Sequence, residues 1–404
     1  MTRFRGASVP RALLALLALS VARCGPPPPR RDGFYIAPTR KPSAPSAARA
    51  AEERHPGKLL RSEPFKTGVP GSQAWRILYG STGRDGEGIE VSGLVIAPTL
   101  PAPVNGRNVV AWAHPTAGVA ENCAPSMRRD PIDAIPHVPT LMVLDAVLVA
   151  TDYPGLGTPG PHPYLVGESE GRAVLDAVRA ARQIPKVGAS NRFVAWGHSQ
   201  GGQAALFAGQ LARSYAPELT LVGVAAIAPV TDVGRLWRDG LDDPFGRVMV
   251  ADSLWAWSRV SRAPLEPYAS PELLRFVDAA AQDCVDPGSG AEGGPPAPGI
   301  SSDALSSAIA TSPPWNRLLE ENRPGREPAG APLYVAQGMD DTVVRASVTA
   351  DFVAGLCRAG ATVRYEPLPG IGHARAGRVS ATGAIQWMKA RFDGDPAPNT
   401  CPPF

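Results

Sequence analysis

The sequence predicts an α/β protein, with a mostly parallel central sheet wrapped by helices on both faces and a helical cap inserted late in the chain. Three observations predict it. From residue 74 onward, apolar runs of strand length alternate with helix-length segments, the pattern of strands joined by crossover helices. Several of those runs are apolar throughout, as strands buried on both faces should be. Between the run ending near residue 228 and the one starting at 332, about a hundred residues of short helical pieces break the alternation. Structureless loops of that length are rare, so the insertion reads as a cap over the sheet's working edge.

Residues 1–22 stand outside that globule. Arg3, Arg5 and Arg11 precede an apolar run over 12–22 that is too short to span a bilayer and suited to a secretory signal, with Ser20-Val21-Ala22 offering small residues at a cleavage site. Removing the segment takes away three arginines and no acid. The formal charge falls from +3 to zero, and nucleic-acid binding has no electrostatic support. A secreted, extracellular protein is the expectation. Cys24 offers the alternative of a lipid anchor outside the cytoplasm; Arg23 argues against it, because lipid attachment wants a small residue there. Residues 23–56, rich in Pro, Ala, Ser and Arg, cannot bury enough apolar surface to fold alone and read as a tether or loose arm. The whole chain is 44% hydrophobic and 19% charged, enough for a sizeable core. Residues 57–404 then form one elaborated domain, with the cap at about 234–328. No later apolar run approaches a transmembrane length.

Within the domain, strands are expected at 74–79, 89–96, 108–113, 146–151, 192–196, 221–228, 332–337 and 362–368. Residues 169–182 place Val174, Val178 and Ala181 on one helical face and Arg172, Asp176 and Arg179 on others, which makes a helix covering the sheet. Segments 203–215, 346–359 and 374–392 read as helices too. The cap contains a Pro/Gly tract at 286–299 and four tryptophans, Trp237, Trp255, Trp257 and Trp315, that either pack its own small core or line a pocket beneath it. Apart from Cys24 there are four cysteines, Cys123, Cys284, Cys357 and Cys401. Their spacings fit no metal motif, and in an exported chain they read as two disulfides with three pairings open.

The chemistry concentrates at 192–202. An apolar strand, Phe193 to Trp196, runs into Gly197-His198-Ser199-Gln200-Gly201, and a helix follows; Ser199 thus sits at the apex of a strand–turn–helix whose flanking glycines permit close backbone approach. A serine hydroxyl is a poor nucleophile until a histidine takes its proton and an acid holds that histidine. Of six histidines only His373 lies downstream of Ser199, just after the strand at 362–368. His55 falls in the arm, His198 sits on the turn itself, and His137 and His162 lie in proline-rich connections, where solvated loop histidines are expected. The strand at 332–337 ends in Gly338-Met339-Asp340-Asp341, which supplies two adjacent candidate acids.

These residues resemble the secretory lipase family, lipase A-like enzymes of the alpha/beta hydrolase superfamily. The resemblance rests on Ala111-Trp112-Ala113-His114-Pro115-Thr116-Ala117-Gly118 with Cys123 to Ser126, on Ala150-Thr151-Asp152-Tyr153-Pro154-Gly155-Leu156-Gly157 with His162 to Gly167, on the Ser199 turn, and on Gly338 to Asp341 with His373. It covers about residues 65–404. It implies an alpha/beta hydrolase fold and a lidded carboxylic ester hydrolase without a cofactor, with Ser199, Asp341 and His373 as the triad. The choice of Asp341 follows the family pattern of a glycine, two residues, an aspartate, two residues and a valine, met by Gly338, Asp341 and Val344; Asp340 becomes a turn residue bonding nearby backbone N–H groups. The resemblance also implies disulfides of the kind Cys123 could make with Cys284, and Cys357 with Cys401 completes the set.

In such folds one oxyanion donor is the N–H of the residue after the nucleophile, here Gln200, and another comes from the loop after an early strand. Pro115 has no N–H, so the second donor is Thr116 or Ala117. Asp152 and Tyr153 are expected to be structural. The implied partner is a small-molecule ester or acylglycerol, with transient lipid-interface contact through the cap and no partner protein.

Overall fold

The structure, a computed structural model, describes residues 34–35, 55–285 and 307–402. The expected leader at 1–22, nearly all of the arm with Cys24, and the Pro/Gly tract lie outside the described residues. Nine strands are described: β1 Leu59–Phe65, β2 Ser72–Thr82, β3 Gly88–Pro98, β4 Arg107–Ala113, β5 Val147–Thr151, β6 Ala189–His198, β7 Thr220–Ile227, β8 Leu333–Gly338 and β9 Val363–Leu368. They form one sheet in the order β1-β2-β3-β5-β4-β6-β7-β8-β9. The six from β5 to β9 in that order run parallel, while β1, β2 and β3 join antiparallel at one edge. The chain leaves β4 on one side to make β5 and crosses back to β6, so a crevice opens at the carboxyl ends of β4 and β6. Ligands of open α/β sheets bind at such a reversal.

The layering follows from the two-residue period of a strand. Along β4, Val109, Ala111 and Ala113 point into one core and Val110 and Trp112 into another. The first core is covered by α2 (Gly167–Ala181) and α3 (Gln200–Tyr215), through Val174, Val178 and Leu206. The second is closed by α1 (Val138–Val143) and by residues such as Ile385, Trp387 and Met388 near the C-terminus. Both faces of the parallel strands are therefore dry, which is why all five residues of β5 are buried.

Between β7 and β8 lie α4 (Val233–Asp239), α5 (Pro244–Val260), α6 (Pro271–Ala280), α7 (Ser307–Thr311) and α8 (Trp315–Glu321). They pack into one core that also takes in Val119, Tyr164, Leu165, Val343 and Val344 from the body beneath. The ring centroids of Trp237, Trp257 and Trp315 lie 5.4–6.4 Å apart, and each indole N–H is satisfied, by Ser253 Oγ, Tyr164 O and Pro264 O respectively. All three are buried in that shared core. Trp255 is half-buried with the Arg259 guanidinium 4.8 Å above its ring.

Two disulfides tie this body together, Cys123–Cys284 and Cys357–Cys401, with Cα separations of 5.2 and 5.4 Å. The first joins the segment after β4 to the stretch that follows α6 within the cap, where Val285 N–H also donates to Ala117 O at 2.9 Å. The second joins α9 (Ala346–Arg358) to the tail that follows the last helix.

The structure departs from expectation in several places. Strand β1 was not expected: Arg61, Glu63 and Pro64 give it the polar, proline-bearing character of an edge strand, which reads as loop. The helix expected at 374–392 is two, α10 (His373–Val379) and α11 (Ala381–Asp393). They part at Ser380, whose hydroxyl and amide both donate to Ala376 O, a back-bond that bends helices. Asp176, expected on an outer face of α2, is buried and accepts from Ser81, Tyr215 and Arg179 at 2.7–2.8 Å. His162, expected to be a solvated loop residue, is fully buried.

Candidate active site

At the carboxyl end of β6 the backbone turns sharply into α3, and the residue at the corner is Ser199. Its φ of 58° and ψ of −118° are a conformation that a side chain with a Cβ rarely adopts, so the turn is strained and holds the hydroxyl up from the sheet. The glycines around it are required by space. A Cβ on Gly197 would lie 2.0 Å from Gly201 O, and one on Gly201 would lie 1.9 Å from Ala113 O and 2.7 Å from His114 O. The same crowding presses the loop after β4 against the start of α3.

Three strand ends bring three side chains together. Ser199 Oγ lies 2.8 Å from His373 Nε2, and His373 Nδ1 lies 2.7 Å from Asp341 Oδ2. Asp341 follows β8, and His373 follows β9 as the first residue of α10. Asp341 is fixed on all sides. Its Oδ1 accepts the N–H groups of Val343 and Val344 at 2.9 and 2.8 Å, and its Oδ2 also accepts Gln337 Nε2 at 3.0 Å. The backbone-bonding role foreseen for Asp340 therefore falls to Asp341; Asp340 is exposed. All three residues of the Ser–His–Asp chain are buried, the most exposed at only 5%. The start of α5 lies over them. Phe245 stands 6.3 Å from the His373 ring, and Asp243, which caps α5 by accepting from Phe245 and Gly246 N–H, also accepts from Thr342 Oγ1 at 2.7 Å.

Of the two oxyanion candidates, Gln200 opens α3, and a first-turn amide has no acceptor within its own helix. Thr116 is buried in the adjoining loop, with its hydroxyl 2.7 Å from Tyr164 OH. Ala117 holds the same loop to the cap through its carbonyl. Asp152 and Tyr153 stay outside the site, as expected. Asp152 accepts from Ser92, from the Ser126 hydroxyl and from Ser126 N–H, and Tyr153 OH donates to His114 O at 3.1 Å.

Two residues near the site escaped the sequence reading. The Gln200 side chain donates to Glu170 Oε1 at 2.7 Å and lies 3.0 Å from His162 Nε2, while His162 Nδ1 donates to Pro154 O at 2.8 Å. His162 is thereby held as the tautomer that accepts from Gln200. Burial pushes its pKa down to about 3 and pushes Glu170 up to about 8, so both are neutral near pH 7. His198, on the turn beside the nucleophile, donates Nε2–H to His373 O at 3.1 Å, and burial, aided by the nearby His373, takes its pKa to about 3. Burial also brings His114 down to about 4. Among the described residues no group of three or more His, Cys, Asp or Glu is placed to hold a metal ion, and no helix is long and apolar enough to cross a membrane.

The family model described as secretory lipase matches residues 137–252, a span that includes the Ser199 turn, Glu170 and much of α5. A relative from Mycobacterium tuberculosis, named a probable inactive lipase, is 24% identical over 91% of this chain and 83% of its own length. Lipase A of Arthroderma benhamiae is also 24% identical, over 93% of this chain and 82% of its own. The crystal structure of Candida antarctica lipase A superposes with a TM-score of 0.74 at 18% identity, covering 93% of this chain and 88% of that one. The central sheet, the inserted helices and these matches bear out both the alpha/beta hydrolase fold and the resemblance of this chain to the secretory lipases.

Proposed function

We propose that the chain is a secreted carboxylic ester hydrolase working through an acyl-serine intermediate on Ser199. One observation carries the reading: the unbroken hydrogen-bonded series from Asp341 through His373 to a serine held in a strained turn. In the first half-reaction Ser199 Oγ attacks the ester carbonyl carbon and its proton passes to His373 Nε2. Asp341 keeps Nδ1–H in place and stabilises the imidazolium. The oxyanion takes hydrogen bonds from Gln200 N–H and from the loop at Thr116 or Ala117. His373 then protonates the departing alcohol; in the second half-reaction it takes a proton from water as the water oxygen attacks the acyl carbon, and it returns that proton to Ser199 Oγ as the bond from Oγ to the acyl carbon breaks and the acid leaves.

Export is supported by the leader pattern at 1–22, by the family's description as secretory, and by two disulfides, which persist in oxidising compartments. The cap helices between β7 and β8 act as the lid, and the domain runs from about residue 57 to 404.

The relative named inactive defines the rival, a hydrolase scaffold that performs no chemistry. A serine-directed fluorophosphonate applied to the purified chain separates the two. Stoichiometric labelling at Ser199, with turnover of p-nitrophenyl esters, is expected. An unlabelled, folded protein that turns over no ester across a series of acyl lengths would establish the rival.

A further inference from the structure

Glu170 and His162 have no part in the steps above, yet they hold the residue whose N–H is assigned to the oxyanion. Gln200 opens α3, and its side chain is buried with both hydrogens of Nε2 answered, one by Glu170 Oε1 at 2.7 Å and the other by His162 Nε2 at 3.0 Å. His162 sets the orientation of that amide. Its Nδ1–H is committed to Pro154 O, so Nε2 accepts, and only the amide nitrogen of Gln200 can face it. Glu170 Oε1 is fixed in turn by Leu165 N–H at 3.0 Å.

Holding that side chain bears on the backbone N–H because the peptide between Ser199 and Gln200 is a rigid plane secured at its other end. Ser199 O accepts from Gln203 N–H at 3.2 Å and from Val230 N–H at 3.3 Å, which fixes the carbonyl side; the clamp on the Gln200 side chain fixes the plane at Cα. Strain at Ser199 favours relaxation of this peptide, and Gly201 and Gly202 after it have no side chains to resist it. The segment that carries His162 also reaches the loop of the second donor. Tyr164 OH lies 2.7 Å from Thr116 Oγ1, and Tyr153 OH donates to His114 O. Residues 153–170 thus back both sides of the oxyanion position.

We propose that Glu170 and His162 are positioning residues for ester hydrolysis, which clamp the Gln200 side chain from two sides and so aim its backbone N–H at the oxyanion. The proposal rests on the ester hydrolase reading. The clamp works without a charge. A carboxylate behind the donor would oppose the negative charge that develops on the carbonyl oxygen, whereas a carboxylic acid and a neutral imidazole hold the amide and leave that charge to the donors. The groups that face Glu170 agree with this. From the segment after β5 come His162, neutral with Nε2 3.9 Å from Oε1, and the phenols of Tyr153 and Tyr164, which burial raises well above their usual range. From α3 comes Gln200, and from the cap Asn322, which accepts Gly167 N–H one turn before Glu170. None of these is charged near pH 7. On the helix of Glu170 itself, Arg172 turns to Glu168 and to Gly83 O. Burial keeps the Glu170 proton in place up to about pH 8.

Three variants, assayed on one soluble ester, separate positioning from a structural role. Gln200→Met keeps the backbone N–H and removes the clamped amide, Glu170→Leu removes one side of the clamp, and Glu170→Gln keeps the acceptor but cannot ionise. Gln200→Met and Glu170→Leu are expected to lose about 10- to 100-fold in kcat with KM within a few-fold, part of the roughly 10²- to 10³-fold that deleting an oxyanion donor outright costs. A trifluoromethyl ketone takes Ser199 Oγ on its carbonyl carbon while the hydroxyl proton passes to His373, which leaves its oxygen as an oxyanion. Affinity for it should fall by the same factor as kcat, and affinity for a plain ether of matched length should not. The double variant Gln200→Met/Glu170→Leu should lose no more than either single one, because both remove the same contact. Glu170→Gln should recover kcat to within a few-fold of wild type at pH 7, and should lack the fall in wild-type kcat expected as pH rises through about 8 and Glu170 ionises. The proposal falls if the clamp variants melt lower while kcat, KM and trifluoromethyl ketone affinity stay as in wild type, if their losses multiply in the double variant, or if wild type and Glu170→Gln share one alkaline profile. Should Glu170→Leu fail to fold, Gln200→Met and the pH profile of Glu170→Gln still decide it. Absent phosphonate labelling in wild type overturns the hydrolase reading instead.

Discussion

Two buried aspartates, Asp341 in the loop after β8 and Asp252 in the cap, are treated in opposite ways. Asp341 accepts four hydrogen bonds from His373, Gln337, Val343 and Val344, whereas Asp252 has none. A group that must act identically in every turnover is fixed before substrate arrives, since reorganising it during reaction would add to the barrier. Asp252, with neither oxygen answered among the packed side chains of the cap, is instead kept from charging by burial.

The sharpest test of the fixed side is Ser199→Ala, expected to lower kcat by roughly 10⁶ with the fold intact, because a triad acts as a unit. Full ester turnover by the purified variant would remove the basis of the comparison.

Next in size is the choice of acid. Asp341→Asn should cost on the order of 10⁴ in kcat, because an amide holds the histidine in the wrong tautomer. Asp340→Asn, at an exposed position, should cost little activity. The two variants assayed on one soluble ester decide it, and a crippled Asp340→Asn would mean that the acid is misassigned by one residue.

The bond between the two regions can also be cut. On the chain-entropy account, loops closed over 161 and 44 residues are worth roughly 5 and 4 kcal/mol for Cys123–Cys284 and Cys357–Cys401. Denaturant titration of Cys123→Ala/Cys284→Ala and Cys357→Ala/Cys401→Ala should show losses of that order. Only the first pair should also lower kcat, since it alone links the oxyanion loop to the cap.

Glu170 is an intermediate case, with Oε1 answered by Gln200 and Leu165 and Oε2 unanswered. The folded protein holds its proton up to about pH 8, and the unfolded chain releases it near 4.5. Between those values the unfolded state binds fewer protons, so rising pH favours unfolding by about 1.4 kcal/mol per pH unit from this group. Urea midpoints across that window should fall less steeply in Glu170→Gln, which keeps the acceptor for Gln200. An unchanged slope would show that Glu170 is ionised in the native protein.

What the sequence made legible was whatever local pattern encodes. The parallel strands stood out because burial on both faces makes them largely apolar, as in Val147 to Ala150. Ser199 and His373 could be read because each follows a recognisable strand in the chain order of the fold, whereas the choice of Asp341 over Asp340 came from the family pattern. The disulfides, in contrast, came from the family resemblance and not from spacing. His162 and Glu170 were invisible. One sits between prolines and the other on a helix of mixed polarity, and only the long-range approach of Gln200 gives either a role. Strand β1 was lost for the same reason, since its pairing with β2, and not its composition, makes it a strand.

The two disulfides join Cys123 to Cys284 and Cys357 to Cys401, so among these four each cysteine is bonded to its neighbour in chain order. In a chain threaded out of the cytoplasm N-terminus first, each thiol awaiting a partner meets the correct one as the next of the four to emerge. Oxidation in order of appearance then gives the native set, and no later shuffling is needed. On the proposed export route the single competitor is Cys24, which leaves the cytoplasm before Cys123. A chain that retains Cys24 as a free thiol should therefore mature more cleanly once that residue is changed to serine.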